Sequence, residues 1–173
     1  MRPEPELLLE TRRFRVVRHA QQLADGSLHT RETVVHPGAV VIVALAGPRQ
    51  VVLIRNYRIA VDEELLELPA GTIDPGEDPL ATARRELAEE TGYRAAEFRR
   101  LTEFWVSPGI LSERMHLFLA TGLQPGPAAL EKGEQIRPLV VDWDEALQMI
   151  DQQKIRDAKT LAGLLYYDRL MKQ

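Results

Sequence analysis

Residues 69–93 read PAGTIDPGEDPLATARRELAEETGY. The stretch divides into a lead-in rich in glycine and proline, an amphipathic run, and a glycine stop. Asp78 followed by Pro79 is a helix-start pair: the carboxylate accepts from free backbone N–H groups, and proline's missing N–H is no loss in a first turn. Gly92 stands where a left-handed residue ends a helix. Between them Leu80, Ala83 and Leu87 recur at spacings of three and four, a narrow core-facing stripe. Glu86, Glu89 and Glu90 crowd another face, because residues three and four apart are neighbours on a helix. Like charges at that spacing cost the helix a few tenths of a kcal/mol per pair, and the helix dipole disfavours anions near a C-terminus. Arg84 and Arg85 are near enough to bridge some of these acids. A hard divalent cation bound through oxygen would satisfy the rest. Magnesium suits best, since it accepts one or two carboxylates, keeps several waters and is completed by substrate phosphates. A solvated charged face is the plainer reading of the same acids.

Outward from this helix the chain reads mostly as strands. RRFRVVRHAQQ and LHTRETVV flank LADGS, whose Asp-Gly pair marks a turn, and predict an N-terminal hairpin. AVVIVALAGPRQVVLIRNYR holds two apolar runs around a Gly-Pro break, which suits the buried central strands of a sheet. LLELPAG is a brief strand running into a loop, and further strands are expected over roughly 97–105, RMHLFLAT and IRPLVVDW. GLQPGPAALEKGE reads as one long mobile loop, and helices around DEALQMIDQQ and AKTLAGLLYYDRLM close the chain. Strands, one central helix, more strands, then helices: the class is α/β of the α+β kind, a mixed β-sheet sandwiched between helices.

The 173 residues suit one domain with room for a small extra subdomain, and 45% apolar residues support a real core. A net charge of −4 without a basic stripe argues against a nucleic-acid partner. The absence of cysteine removes disulfides, thiol catalysis and cysteine-ligated zinc, and fits a reducing cytoplasm. MRPEPELLLETRR carries a leucine run of three, far short of a signal-peptide core, and nothing approaches a membrane span. His19, His29, His36 and His116 share no metal-type spacing.

From Gly71, five residues lead to Glu77 and seven more to Arg85-Glu86-Leu87-Ala88-Glu89-Glu90-Thr91-Gly92-Tyr93. This resembles the Nudix box, G-x5-E-x7-R-E-U-x-E-E-x-G-U with U a bulky aliphatic residue; Tyr93 in the last place is the one departure. Chance agreement at ordinary residue usage is below about one in a million. The resemblance implies the Nudix fold over 37–173, with the box at 71–93 and residues 1–36 as a small N-terminal antiparallel β subdomain for dimerisation. It also implies Mg²⁺-dependent hydrolysis, Mn²⁺ substituting, of a diphosphate linked to another group. Glu86 and Glu90 take the place of main metal ligands, Glu89 that of a helper or further ligand, and Ala70 lends its carbonyl. Gly71, Glu77 and Arg85 support the box, the last two through an ion pair that holds the ligands in place.

Outside the box the similarity narrows toward ADP-ribose pyrophosphatases. LLELPAGTIDPGEDP, with Glu67 three residues before Ala70, resembles their lead-in. SPG puts Pro108 fifteen residues past Tyr93, where that group shows a marker proline, and SER follows at 112–114. The resemblance makes Arg58 a contact of the diphosphate or terminal ribose, a role that suits arginine's planar fork, and puts Glu113 near that ribose. Of Glu131 and Glu134, ahead of IRPLVV, it favours Glu134 as the base for water, as a metal ligand, or both. Phe14 is a candidate for holding adenine across a homodimer, set against its plainer reading as a core-facing strand residue. The expected activity is conversion of ADP-ribose to AMP and ribose 5-phosphate, without nucleic-acid or membrane partners. Another nucleoside diphosphate sugar such as GDP-mannose is the alternative substrate, and a non-catalytic ADP-ribose sensor the alternative of another class.

Overall fold

The computed structural model describes residues 4–130 and 135–173. Strands β1 (Glu6–Glu10), β2 (Arg15–Gln22) and β3 (Leu28–Val35) form an antiparallel sheet in that order. The β2–β3 hairpin pairs Arg15 with Val35 through Gln22 with Leu28, and its turn is closed by Ser27 donating to Asp25, with Gly26 at φ 84°. β1 is an addition to the expected hairpin. Its five residues are all exposed, so it carries no alternation; it forms because β2 has a free edge, which Glu6–Glu10 pairs. Within 4–36 only Val17 is buried, so this sheet has almost no core of its own. It is joined to the rest by Val34, which donates to Ile110 O and accepts from Ser112 N.

The second sheet contains β4 (Ala39–Gly47), β5 (Gln50–Arg58), β6 (Glu63–Glu67), β7 (Ala70–Thr72), β8 (Tyr93–Trp105), β9 (Arg114–Pro125) and β10 (Ile136–Asp142). Its order is β10-β5-β4-β9-β8, with β6 on β5 and β7 on β4. β4 and β9 run parallel, from Ala39 opposite Met115 to Ala44 opposite Ala120, and the other pairs are antiparallel. Ala39–Ala44 are buried on both faces, which explains the unbroken apolar run of β4.

Alternation along β4 splits the core in two. Val40, Ile42 and Ala44 meet Ala83 and Leu87 of α1 (Pro79–Thr91), and Leu80 packs at the margin. Val41 and Val43 lie in the opposite layer, with Trp143 of α2 (Trp143–Asp151) and Leu164 and Tyr167 of α3 (Ala158–Met171). The architecture is therefore a mixed sheet between helices. The expected loop at GLQPGPAALEKGE is shorter at its start, because β9 continues to Pro125 against Tyr93. No helix among the described residues is long and apolar enough to cross a membrane.

Candidate active site

α1 starts and stops where its local chemistry dictates. Asp78 Oδ1 accepts from Leu80 N at 2.9 Å, Pro79 opens the first turn, and Gly92 closes the helix at φ 73° with its N–H on Ala88 O. β7 lies antiparallel to β4, Gly71 opposite Val40, and brings Ala70 and Gly71 under the acidic face of the helix. A Cβ built on Gly71 would fall 1.9 Å from Cδ of Glu86, so this carboxylate occupies the space that glycine leaves. Glu90 is buried, and its Oε2 accepts from Ala70 N at 2.9 Å.

Arg85 ties the acids together. Its Nη1 donates to Glu86 at 2.7 Å and Glu89 at 3.0 Å; Nε and Nη2 donate to the two oxygens of Glu77 at 3.2 and 3.0 Å. The hydrogen bond from Arg85, aided by Thr82, holds the Glu77 carboxyl below its ordinary range. The same bond to Glu77 raises Arg85, against the opposing effect of burial. Arg84 takes no part in this bracing. Its guanidinium lies over the Phe98 ring, 5.0 Å from the centroid, and forms no ion pair among the described residues.

A cleft of about 680 Å³ opens beside these groups. Gly71, Glu86 and Glu90 line one side, Arg58 and Asn56 line it from β5, and the turn of residues 10–15 forms another wall. A smaller cavity of about 270 Å³ adjoins it, with Arg58, Ala70, Glu113 and Lys159 among its lining. Arg58 donates through Nε and Nη2 to both oxygens of the fully buried Glu67, at 2.8 and 2.6 Å. Lys159 adds a third contact to Glu67 at 2.6 Å and pairs with Asp157, the N-cap of α3, at 3.0 Å. Burial pushes the Glu67 carboxyl up, but the Arg58 hydrogen bonds and the Lys159 charge outweigh it and leave it below its ordinary range.

A family model of the NUDIX domain matches residues 35–164. The chain belongs to the Nudix family. It is 39% identical over 147 residues to a methanol dehydrogenase activator of Bacillus methanolicus, covering 84% of this chain and 80% of that one. It is 35% identical to an ADP-ribose pyrophosphatase of Bacillus subtilis with the same coverage of both chains. It is 34% identical to a GDP-mannose pyrophosphatase of Escherichia coli, covering 87% of this chain and 78% of the other. The fold matches a crystal structure described as ADP compounds hydrolase with a TM-score of 0.86 at 23% identity, covering 99% of this chain and 94% of that one.

In this Nudix chain the box residues Ala70, Gly71, Glu77, Arg85, Glu86, Glu89 and Glu90 thus form one connected cluster. Among the described residues no three His, Cys, Asp or Glu converge as a ready-made metal cage. The donor set nevertheless fits a hard divalent cation: the candidate donor atoms are all oxygen, and magnesium draws much of its shell from water and phosphate. Arg58 faces both cavities with no hydrogen bond from Nη1 among the described residues, and Glu113 Oε1 lies 3.6 Å from Nδ1 of His36. Pro108 lies in the turn where Ile110 N and Leu111 N donate to Ser107 O, and lines neither cavity. Glu131 and Glu134 fall outside the described residues. Phe14 differs from its reading as a core-facing strand residue: it precedes β2, is 37% exposed and lines the larger cleft. Lys159 and residues 10–13 border the site with no motif to announce them; the dense arginines of TRRFR are the one signal for the latter.

Proposed function

We propose that the chain is an Mg²⁺-dependent ADP-ribose pyrophosphatase that yields AMP and ribose 5-phosphate, with Mn²⁺ as a substitute ion. The observation that carries this reading is the box cluster: Glu86 seated on Gly71, Glu90 anchored at Ala70, and Arg85 bridging Glu77, Glu86 and Glu89 at the mouth of a cleft of about 680 Å³. The Bacillus subtilis ADP-ribose pyrophosphatase supports the choice of substrate. Glu86, Glu90 and the Ala70 carbonyl hold the ion in this reading, with Glu89 as a helper or further ligand. When bound, the ion neutralises the diphosphate and polarises phosphorus toward attack by water. Gly71 gives Glu86 its place, and Arg85 with Glu77 restrains the acids so that little reorganisation is left for the reaction. Arg58 presents its remaining N–H groups to the diphosphate or terminal ribose, Glu113 borders that ribose, Pro108 acts from the turn that leads to Glu113 rather than by lining the cavity, and Glu134 takes the proton from water, binds an ion, or does both. Residues 1–36 act as the dimerisation subdomain of a cytoplasmic homodimer without nucleic-acid or membrane partners.

GDP-mannose is the second reading, favoured by the Escherichia coli relative and by a box that addresses the diphosphate and leaves base and sugar open. A panel of ADP-ribose, GDP-mannose and other nucleoside diphosphate sugars, each with Mg²⁺ and with Mn²⁺, decides between them. Faster turnover of GDP-mannose transfers the assignment. Binding without hydrolysis of any of them replaces the enzyme with a sensor. Reaction in heavy-oxygen water then reports, through the labelled product, which phosphorus is attacked.

A further inference from the structure

The wall of the larger cleft opposite the box is strongly basic, in a chain whose net charge is −4. Arg12, Arg13 and Arg15 all line it, and among the described residues none has a carboxylate within ion-pair distance. Glu10 is the one acid of this turn that lines the cleft, which leaves an excess of two positive charges there. Arg12 and Arg13 are held on a closed turn, and Arg15 follows it as the first residue of β2. Thr11 Oγ1 accepts from Arg13 N at 3.2 Å and Phe14 N at 2.9 Å, and Thr11 N donates to Phe14 O at 3.0 Å. Three side chains are thereby displayed toward one volume by a turn that closes on itself and the strand it leads into.

The diphosphate does not account for this charge. On the reading above, its two negative charges lie at the box, where bound cations and Arg58 offset them. What matches the surplus is a second, separate anion carrying about two charges at neutral pH, which is the state of a phosphate monoester. Guanidinium forks meet its oxygens in pairs. We infer that residues 12–15 form a subsite for a phosphate monoester, so that the cleft favours diphosphates carrying an additional phosphate on the nucleoside ribose or on the sugar. This rests on the reading of the cleft as that of a diphosphate hydrolase.

The test is equilibrium binding without divalent cation, so that turnover plays no part. Calorimetry compares ADP-ribose, which carries a diphosphate and no monoester, with its 2′- and 3′-phosphates on the adenosine ribose and its 1″-phosphate on the terminal ribose. At least one of these phosphorylated forms is expected to bind about tenfold more tightly than ADP-ribose at low salt, as charge-assisted pairs give. That gap shrinks as salt is raised from about 50 to about 300 mM, because the pairs are exposed. It closes in the triple variant R12Q/R13Q/R15Q and survives in part in R12K/R13K/R15K, with far-UV circular dichroism confirming that both are folded. The adenosine and ribose arms show which end of the substrate bears the phosphate. Equal binding of ADP-ribose and all of its phosphorylated forms overturns the inference, as does a gap that the glutamine variant retains. Neither result touches hydrolysis, and a failure to hydrolyse leaves the binding comparison intact.

Discussion

Replacing Gly71 by alanine separates the fold from the chemistry. Gly71 is not among the glycines with positive φ, so alanine meets no backbone obstacle in β7. Its Cβ would meet Cδ of Glu86 at 1.9 Å and Oε1 at 2.0 Å, whereas real Cβ contacts essentially never fall under 3.0 Å. The carboxylate must therefore withdraw by more than 1 Å. Misplacement of a catalytic group by about 1 Å costs about 100-fold in rate. The obstructed atoms are the far end of a flexible side chain, so the fold pays little: a strained rotamer costs about 1 kcal/mol, or about 2–4 °C in Tm at this chain length. The assay is kcat/KM for ADP-ribose over a magnesium titration, with thermal unfolding on the same samples. We expect kcat/KM to fall about 100-fold, with the magnesium midpoint raised by about tenfold or more. A variant whose kcat/KM stays within about threefold of wild type, at the same midpoint, refutes the placement of Glu86 as a ligand held by that glycine.

Arg85→Lys keeps the charge but loses the fork that reaches Glu77, Glu86 and Glu89 together, and should lower kcat about 10–100-fold with little change in Tm; retention of full activity would show that the bracing is dispensable. Glu90→Gln retains an oxygen for Ala70 N but loses the anion, so turnover should vanish while calorimetry still detects ADP-ribose; undiminished hydrolysis would remove Glu90 from the metal set. Glu67→Gln leaves Arg58 and Lys159 facing a neutral amide and should destabilise by about 3 kcal/mol at pH 7, read by urea unfolding. Because the folded-state pKa of Glu67 lies below its unfolded value, its contribution is complete above that unfolded value and is lost as pH falls through the folded one. Wild-type stability should thus drop more steeply than that of Glu67→Gln below about pH 4.5, and parallel curves would contradict the depressed carboxyl.

α1 is legible in the sequence because its signals are local: the Asp78–Pro79 start, the Gly92 stop and the Ala83–Leu87 stripe all act within one helix. β4 is legible for a similar reason, since burial on both faces demands an unbroken apolar run. The environment of Glu67 is not. Arg58 lies nine residues away and Lys159 ninety-two, and an acid inside LLELPAG is neutralised only where the fold joins those segments. Arg84 and Arg85 show the same limit at short range, because adjacent guanidiniums diverge to Phe98 and to the acids by packing across strands. β1 leaves no periodic trace at all, since none of its side chains is buried.

The parallel seam between β4 and β9 sets the order in which the molecule can be built. It joins Ala39 to Met115 across a chain separation of 76 residues, with the whole box in between. Closing a loop of that length loses chain entropy before any contact compensates it, so the seam belongs among the slow steps of folding. A chain emerging from the ribosome can wind the acidic helix well before the strand that completes the sheet beneath it exists. The hydrolytic cradle is consequently a late product of synthesis, and truncated chains ending before β9 should be inert toward nucleotides.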